Sequence, residues 1–164
     1  MKRIILAASA LLSLAAASSA LADSVNGASV TGTAGLTVFA PITVTQTQGL
    51  DFGAITSGQN GAVQIAQASG ARTVTGGVGA IAVNVGKAGA FAVTGQSNAA
   101  INVVVGANIT GFQGGITGTT QAANLPVVLA GTTATFNVGG ALNVPANTPA
   151  GAYTGSYTVA VNYP

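Results

Sequence analysis

The sequence predicts an all-β sandwich, and three observations lead there. Beyond residue 22 the usual helix formers are missing: Glu is absent, Lys and Arg are scarce, and Gly, Thr and Val dominate. In their place come short stretches that alternate apolar and polar residues, the signature of strands with one buried face. Gly, Asn, Ser and Pro punctuate them at the spacing of a sandwich rather than of parallel βαβ units.

The first 22 residues stand apart. Lys2 and Arg3 precede an apolar run from Ile4 to Ala17, and Ala20-Leu21-Ala22 forms a small-x-small site before Asp23. The pattern predicts a secretory signal peptide over 1–22. The apolar run is short for a bilayer span, and no later stretch is long enough, so no membrane span is expected after cleavage. The remaining length, about 140 residues, suits one domain. It divides into an N-terminal extension over 23–34 and a β-sandwich over 35–164.

The strand candidates follow in order. Ala28, Val30, Gly32, Ala34, Leu36, Val38 and Ala40 share one parity, with Ser29, Thr31, Thr33 and Thr37 on the other, and the pattern continues through Ile42 and Val44. "LDFGAI", "AVQIAQ" and "ARTVTGG" come next, then Ile81, Val83 and Val85, "AFAVTG", and Ile101, Val103 and Val105. "LPVVLAG", "ATFNVGGALNVP" and "YTGSYTVAVNYP" complete about eight to ten strands. In the last of these, Tyr157, Val159, Val161 and Tyr163 put four large side chains on one face. Positive φ is expected at Gly53, Gly77 and Gly151, and Pro145 and Pro149 are expected outside central pairing.

Two rival architectures fit less well. The Gly spacings are too irregular for a solenoid repeat. With 3 Tyr and 5 Phe, the chain is too poor in aromatics for the girdles of an outer-membrane barrel.

Chemistry is bounded by what is missing. There is no His, Cys or Trp, and the only side-chain carboxylates are Asp23 and Asp51. A Ser–His–Asp triad is therefore impossible, transition-metal ligands are absent, and a calcium site is short of oxygens. No enzyme activity, cofactor or metal is expected. Without its signal the chain keeps Asp23, Asp51, Arg72 and Lys87, which leaves no basic patch for nucleic acid. Gly77-Val78-Gly79-Ala80-Ile81-Ala82 matches a loose dinucleotide pattern, but it leads toward a strand and no acid follows. Asp51 reads as a turn aspartate capping backbone amides, with a buried pair to Arg72 as the sharper alternative. Asn108-Ile109-Thr110 matches a glycosylation sequon and is discounted as a short pattern.

"APITVTQTQGLDFGAI", "GARTVTGGV", "AFAVTGQ" and "VGGALNVPANTPAGAYTGSYTVAVNYP" together resemble a bacterial secreted domain-of-unknown-function family. Its marks are an early Leu50-Asp51-Phe52-Gly53 and a late Pro-Ala-Gly-x-Tyr-x-Gly, here carrying Gly151, Tyr153 and Gly155. That family is similar to spore coat protein U-like domains, the subunits of archaic chaperone–usher pili, although their frequent Cys is missing here. The resemblance implies an immunoglobulin-like sandwich lacking its last strand. An N-terminal segment of the next subunit would complete it by strand addition.

On that basis the expected function is a structural subunit of a surface fimbria. It would be exported through the periplasm to the cell surface or fimbrium. Its partners would be copies of itself or related pilins, a periplasmic chaperone and an outer-membrane usher. Ala28, Val30, Gly32 and Ala34 would form the donor face, and Tyr157, Val159, Val161 and Tyr163 the strand at the groove's edge. Two alternatives are a monomeric adhesin-like surface-binding module, disfavoured by few aromatics, and a coat or matrix protein.

Overall fold

The computed structural model describes residues 27–121 and 126–164. The signal peptide expected over 1–22, and the start of the extension, lie outside the described residues. Residues up to Thr37 and residues from Val38 onward form two separate units.

In the first unit, residues 27–37 are exposed and belong to no strand. Val30 is 95% exposed and Leu36 88%. The strand expected over Ala28–Ala40 is therefore not formed. Among the described residues it has no ladder partner, and alternation alone does not hold a strand.

The second unit is an all-β fold of antiparallel strands, consistent with a β-sandwich. Its strands are β1 Thr43–Gln48, β2 Ile55–Thr56, β3 Gly61–Ile65, β4 Arg72–Gly76, β5 Gly79–Ala80 and β6 Gly89–Thr94. They continue as β7 Ala100–Val105, β8 Asn108–Ile109, β9 Thr117–Gln121, β10 Pro126–Val128, β11 Thr133–Val144 and β12 Val159–Asn162. The larger sheet runs β1-β6-β11-β3-β4, with β9 also on β11 and β8 on β9. A second sheet runs β10-β7-β12, and β2 pairs β5.

β11 organises the domain. Its first half, Thr133 to Val138, pairs β6, and its second half pairs β3 and β9. The change of partners falls at Gly139-Gly140, both buried. A Cβ on Gly139 would run into the backbone of Ile65 and lie 2.6 Å from the Gln67 nitrogen. Only glycine lets three backbones crowd together here.

Two apolar clusters fill the interior. One joins Val93, Ile101, Val103 and Leu129, flanked by Ile42, Phe136, Val159, Val161 and Tyr163. The other joins Ile109, Ile116 and Leu142, flanked by Leu50, Phe52, Phe112, Tyr153 and Tyr157.

Several expectations need correction. Ile81, Val83 and Val85 do not form a strand, and Val83 is 96% exposed. Arg72 donates to the carbonyls of Ile81 and Asn84, and the Asn84 carbonyl also accepts from the amide of Ala54. Gly53 has φ 75, but the left-handed glycine of the β4–β5 turn is Gly76, not Gly77, and Gly151 is not left-handed. The last strand is shorter than its alternation, although Ser156 and Thr110 add a reciprocal bridge. Pro145 and Pro149 do lie outside the strands. The Gly77–Ala82 stretch forms a turn and the two-residue β5, not a helix.

Candidate functional site

β1 and β12 are both edge strands, each with a neighbour on one side only among the described residues. Directly opposed residues of an antiparallel pair share a face. Val44 opposes Val93 and Gln46 opposes Phe91, so Val44 and Gln46 lie on the core face of β1. Yet Val93 is fully buried while Val44 is 40% exposed and Gln46 is exposed as well. The inward face of β1 is therefore uncovered. On β12, Val161 opposes the buried Val103 and Val159 opposes Val105, and both remain only half-buried. The core is left open along a seam between these two edges.

A tyrosine braces each end of the seam. Tyr163 donates to the carbonyl of Ala40 at 2.8 Å and accepts from the amide of Gln96 at 2.7 Å. Its ring lies 5.1 Å from that of Phe39. This knot pins the chain just before β1 and keeps the last strand from fraying. At the other end Tyr157 packs edge-on to Phe91 at 6.2 Å. Its hydroxyl reaches toward Gly89, where a Cβ would lie 2.6 Å away. That hydroxyl is buried and has no hydrogen-bond partner among the described residues. Burial raises its pKa above the ordinary 10.0, while the nearby Gln46 side chain pulls the other way without closing a bond of good geometry.

Tyr157 also lines a groove of about 770 Å³. Leu50, Phe52, Ile109, Phe112, Ile116 and Tyr153 supply much of its apolar lining. Both sequence motifs meet here: Leu50, Asp51, Phe52 and Gly53 on one wall, Gly151, Tyr153 and Gly155 on the other. Tyr153 donates to the carbonyl of Pro149 at 2.7 Å and so folds its own loop into a wall. Gly155 backs onto Phe112, whose ring a Cβ would approach to 2.7 Å.

The Leu50–Gly53 turn is built from its own polar atoms. Asp51 Oδ1 accepts from the amide of Gly53 at 2.7 Å and Oδ2 from Asn84 Nδ2 at 3.2 Å. It is the turn aspartate the sequence implied, and Arg72 does not pair with it. Arg72 instead donates to the carbonyls of Ala54 at 3.0 Å, Asn84 at 2.7 Å and Ile81 at 3.0 Å. Gly53, left-handed and lying against Arg72 Nη1, leaves no room for a side chain. Arg72→Ala is expected to cost about 2–3 kcal/mol, since several charge-assisted bonds to carbonyls are lost at once. Urea denaturation measures it, and a loss under about 0.5 kcal/mol would contradict a staple role.

The donor-face residues Ala28, Val30, Gly32 and Ala34 are exposed and outside every strand. Sequence reading missed Gln46, Ile109, Phe112, Ile116 and Leu142 at this site. Leu142 lay in a recognised strand without a sign of which cavity it faced. β8 and β9 were invisible because two residues, and a Thr-Gly-Thr-Thr-Gln run, look like turns.

No group of three or more His, Cys, Asp or Glu that could hold a metal occurs among the described residues. The model of a family described as "Domain of unknown function (DUF4402)" matches residues 42–163, and the chain belongs to that family. No curated protein and no solved structure matches it.

Proposed function

We propose that this DUF4402 chain is the structural subunit of a bacterial surface fimbria, exported through the periplasm and assembled by donor-strand complementation. The observation that carries the reading is the open seam: the core face of β1 is uncovered beside the unpaired edge of β12. An open edge beside exposed apolar side chains is an aggregation hazard unless something fills it. The same chain carries a strand-like segment that pairs with nothing among the described residues: residues 27–37 are exposed, with Ala28, Val30, Gly32 and Ala34 on one parity. Small side chains suit a gap between two sheets, where bulky ones would overpack. In a second copy's seam this segment gains a ladder and a buried face. The immunoglobulin-like description with a missing strand, and the likeness to spore coat protein U-like pilins, belong to the same proposal. So do a periplasmic chaperone that covers the seam in transit and an outer-membrane usher.

Secreted protein is expected to form filaments visible by negative-stain electron microscopy, and multimer ladders on unheated gels. A strictly monomeric product at micromolar concentration would contradict the proposal. Assembly should also be nearly indifferent to salt. The seam strands Thr43–Gln48 and Val159–Asn162 carry no charge, and neither does the segment 24–37. A contact with no ion pairs has nothing to screen. A tenfold change in assembly rate between 50 and 500 mM NaCl would show that charged groups take part.

A further inference from the structure

The Tyr157 hydroxyl is buried at the seam with no partner among the described residues. A buried donor left unpaired costs free energy that a phenylalanine at the same place would not. The ring itself is well used: it meets Phe91 edge-on and packs on the cluster of Ile109, Ile116 and Leu142. Phenylalanine would keep all of that. The hydroxyl therefore does nothing for the unoccupied subunit.

Its position indicates what it awaits. It lies near the Gln46 side chain of β1 and beside Gly89 of β6. Gln46 is exposed on an edge strand, and no hydrogen bond of good geometry ties it to the hydroxyl. The register of β1 also shifts between Gln46 and Gln48, which loosens the edge at this level. A strand entering the seam would displace Gln46 and bring its own backbone past the hydroxyl. Entering backbone offers a carbonyl every residue, and a carbonyl is the acceptor that a phenol lacks here.

We propose that Tyr157 is a positioning residue for the entering strand of a second copy, its hydroxyl donating to one backbone carbonyl of that strand and so setting its register. This rests on the donor-strand reading above. The occupant is the second copy's segment 24–38. It is uncharged, its residues from 27 on are exposed, and it stops where Phe39 and Ala40 are tied to Tyr163.

The test uses the secreted chain carrying Val30→Asp, which silences its own segment. A fluorescent synthetic peptide spanning residues 24–38 is titrated into it, with and without Tyr157→Phe. Tyr157→Phe is expected to weaken peptide binding about tenfold, as the loss of one well-placed hydrogen bond does. The melting temperature of the peptide-free chain should stay the same or rise. A side chain with a purely structural role would move both readouts together. Equal peptide affinity in the two proteins would overturn the assignment of Tyr157 and leave strand entry standing. So would a Gln46→Leu variant that reproduces the loss with nothing further in the double variant, because Gln46 would then be the partner. Failure of the peptide to bind either protein would overturn the donor-strand reading itself, and this inference with it.

Discussion

Deleting residues 24–34, or replacing Val30 with Asp, is expected to give a chain that is still secreted and folded but lends no strand to its neighbour. Val30 is 95% exposed, so an aspartate there costs the subunit's own fold nothing. Inside a second copy's seam the same carboxylate would sit against Val159, Val161 and the cluster of Val93, Ile101, Val103 and Leu129. No cation lies on β1 or β12 to pair with it. Burying an unpaired carboxylate costs several kcal/mol, enough to abolish a contact that strand addition alone stabilises. Electron microscopy of either variant as sole subunit should show no filaments. Both should still accept a donor peptide, because the seam is intact. Filaments of normal length from either variant would remove the donor role from this segment.

The second large effect belongs to the strand β11. Gly139→Ala is expected to destabilise the domain by about 3 kcal/mol, the upper end for overpacking. An added methyl at most core sites meets side chains that can shift. At Gly139 it meets the backbone of Ile65 and Gln67, with the Gln67 Cα at 2.9 Å. Relief would require β3 to move, and β3 is paired on both sides, to β11 and to β4. Chemical denaturation of the otherwise native chain measures the loss. A cost below about 0.5 kcal/mol would mean that the change of partners at Gly139-Gly140 tolerates a side chain.

A smaller effect separates the hydroxyl of Tyr157 from its ring. The folded-state pKa is raised, so ionisation is disfavoured in the fold and favoured in the unfolded chain. The group adds no ionisation penalty below the unfolded value of 10.0, and the fold loses stability as pH climbs from there through the folded value. Between pH 10 and 11.5 the wild-type chain should lose more stability than Tyr157→Phe, by thermal denaturation in matched buffers. Identical alkaline profiles would show that the hydroxyl is not buried in solution.

Much of the fold was legible because its signals are local. Val63 and Ile65 alternate with polar neighbours and are buried, as are Phe91 and Val93 in β6 and Ile101 and Val103 in β7. Period-two alternation reports a buried face whenever a sheet is present to bury it. It failed where that condition fails. Residues 28–40 and 81–85 alternate as well as any strand, yet residues 28–37 pair with no strand among the described residues and 81–85 is tied down by Arg72. Alternation thus marks strand-forming capacity rather than strand. In the N-terminal segment that capacity is what donor-strand assembly requires.

The site was legible in part, for a different reason. Leu50–Gly53 and Gly151–Gly155 were singled out as phrases separated by about a hundred residues. Their meeting in one groove depends on β11 crossing between partners, which no local pattern encodes. Asp51 could be read as a turn residue because its partner amide is two residues away. Arg72 could not be read, since its three acceptors belong to irregular backbone whose path is set by the fold. The bare hydroxyl of Tyr157 was equally invisible: the sequence shows a tyrosine, and only the structure shows it buried with no hydrogen-bond partner among the described residues.

If the segment around Val30 fills the seam of another copy, amide hydrogen exchange on secreted protein will register it. In assembled wild-type material, residues 27–34 and the free-edge amides of Val159–Asn162 should exchange slowly. In the Val30→Asp chain both should exchange fast, as unpaired backbone does. Fast exchange of residues 27–34 in both proteins would contradict strand donation.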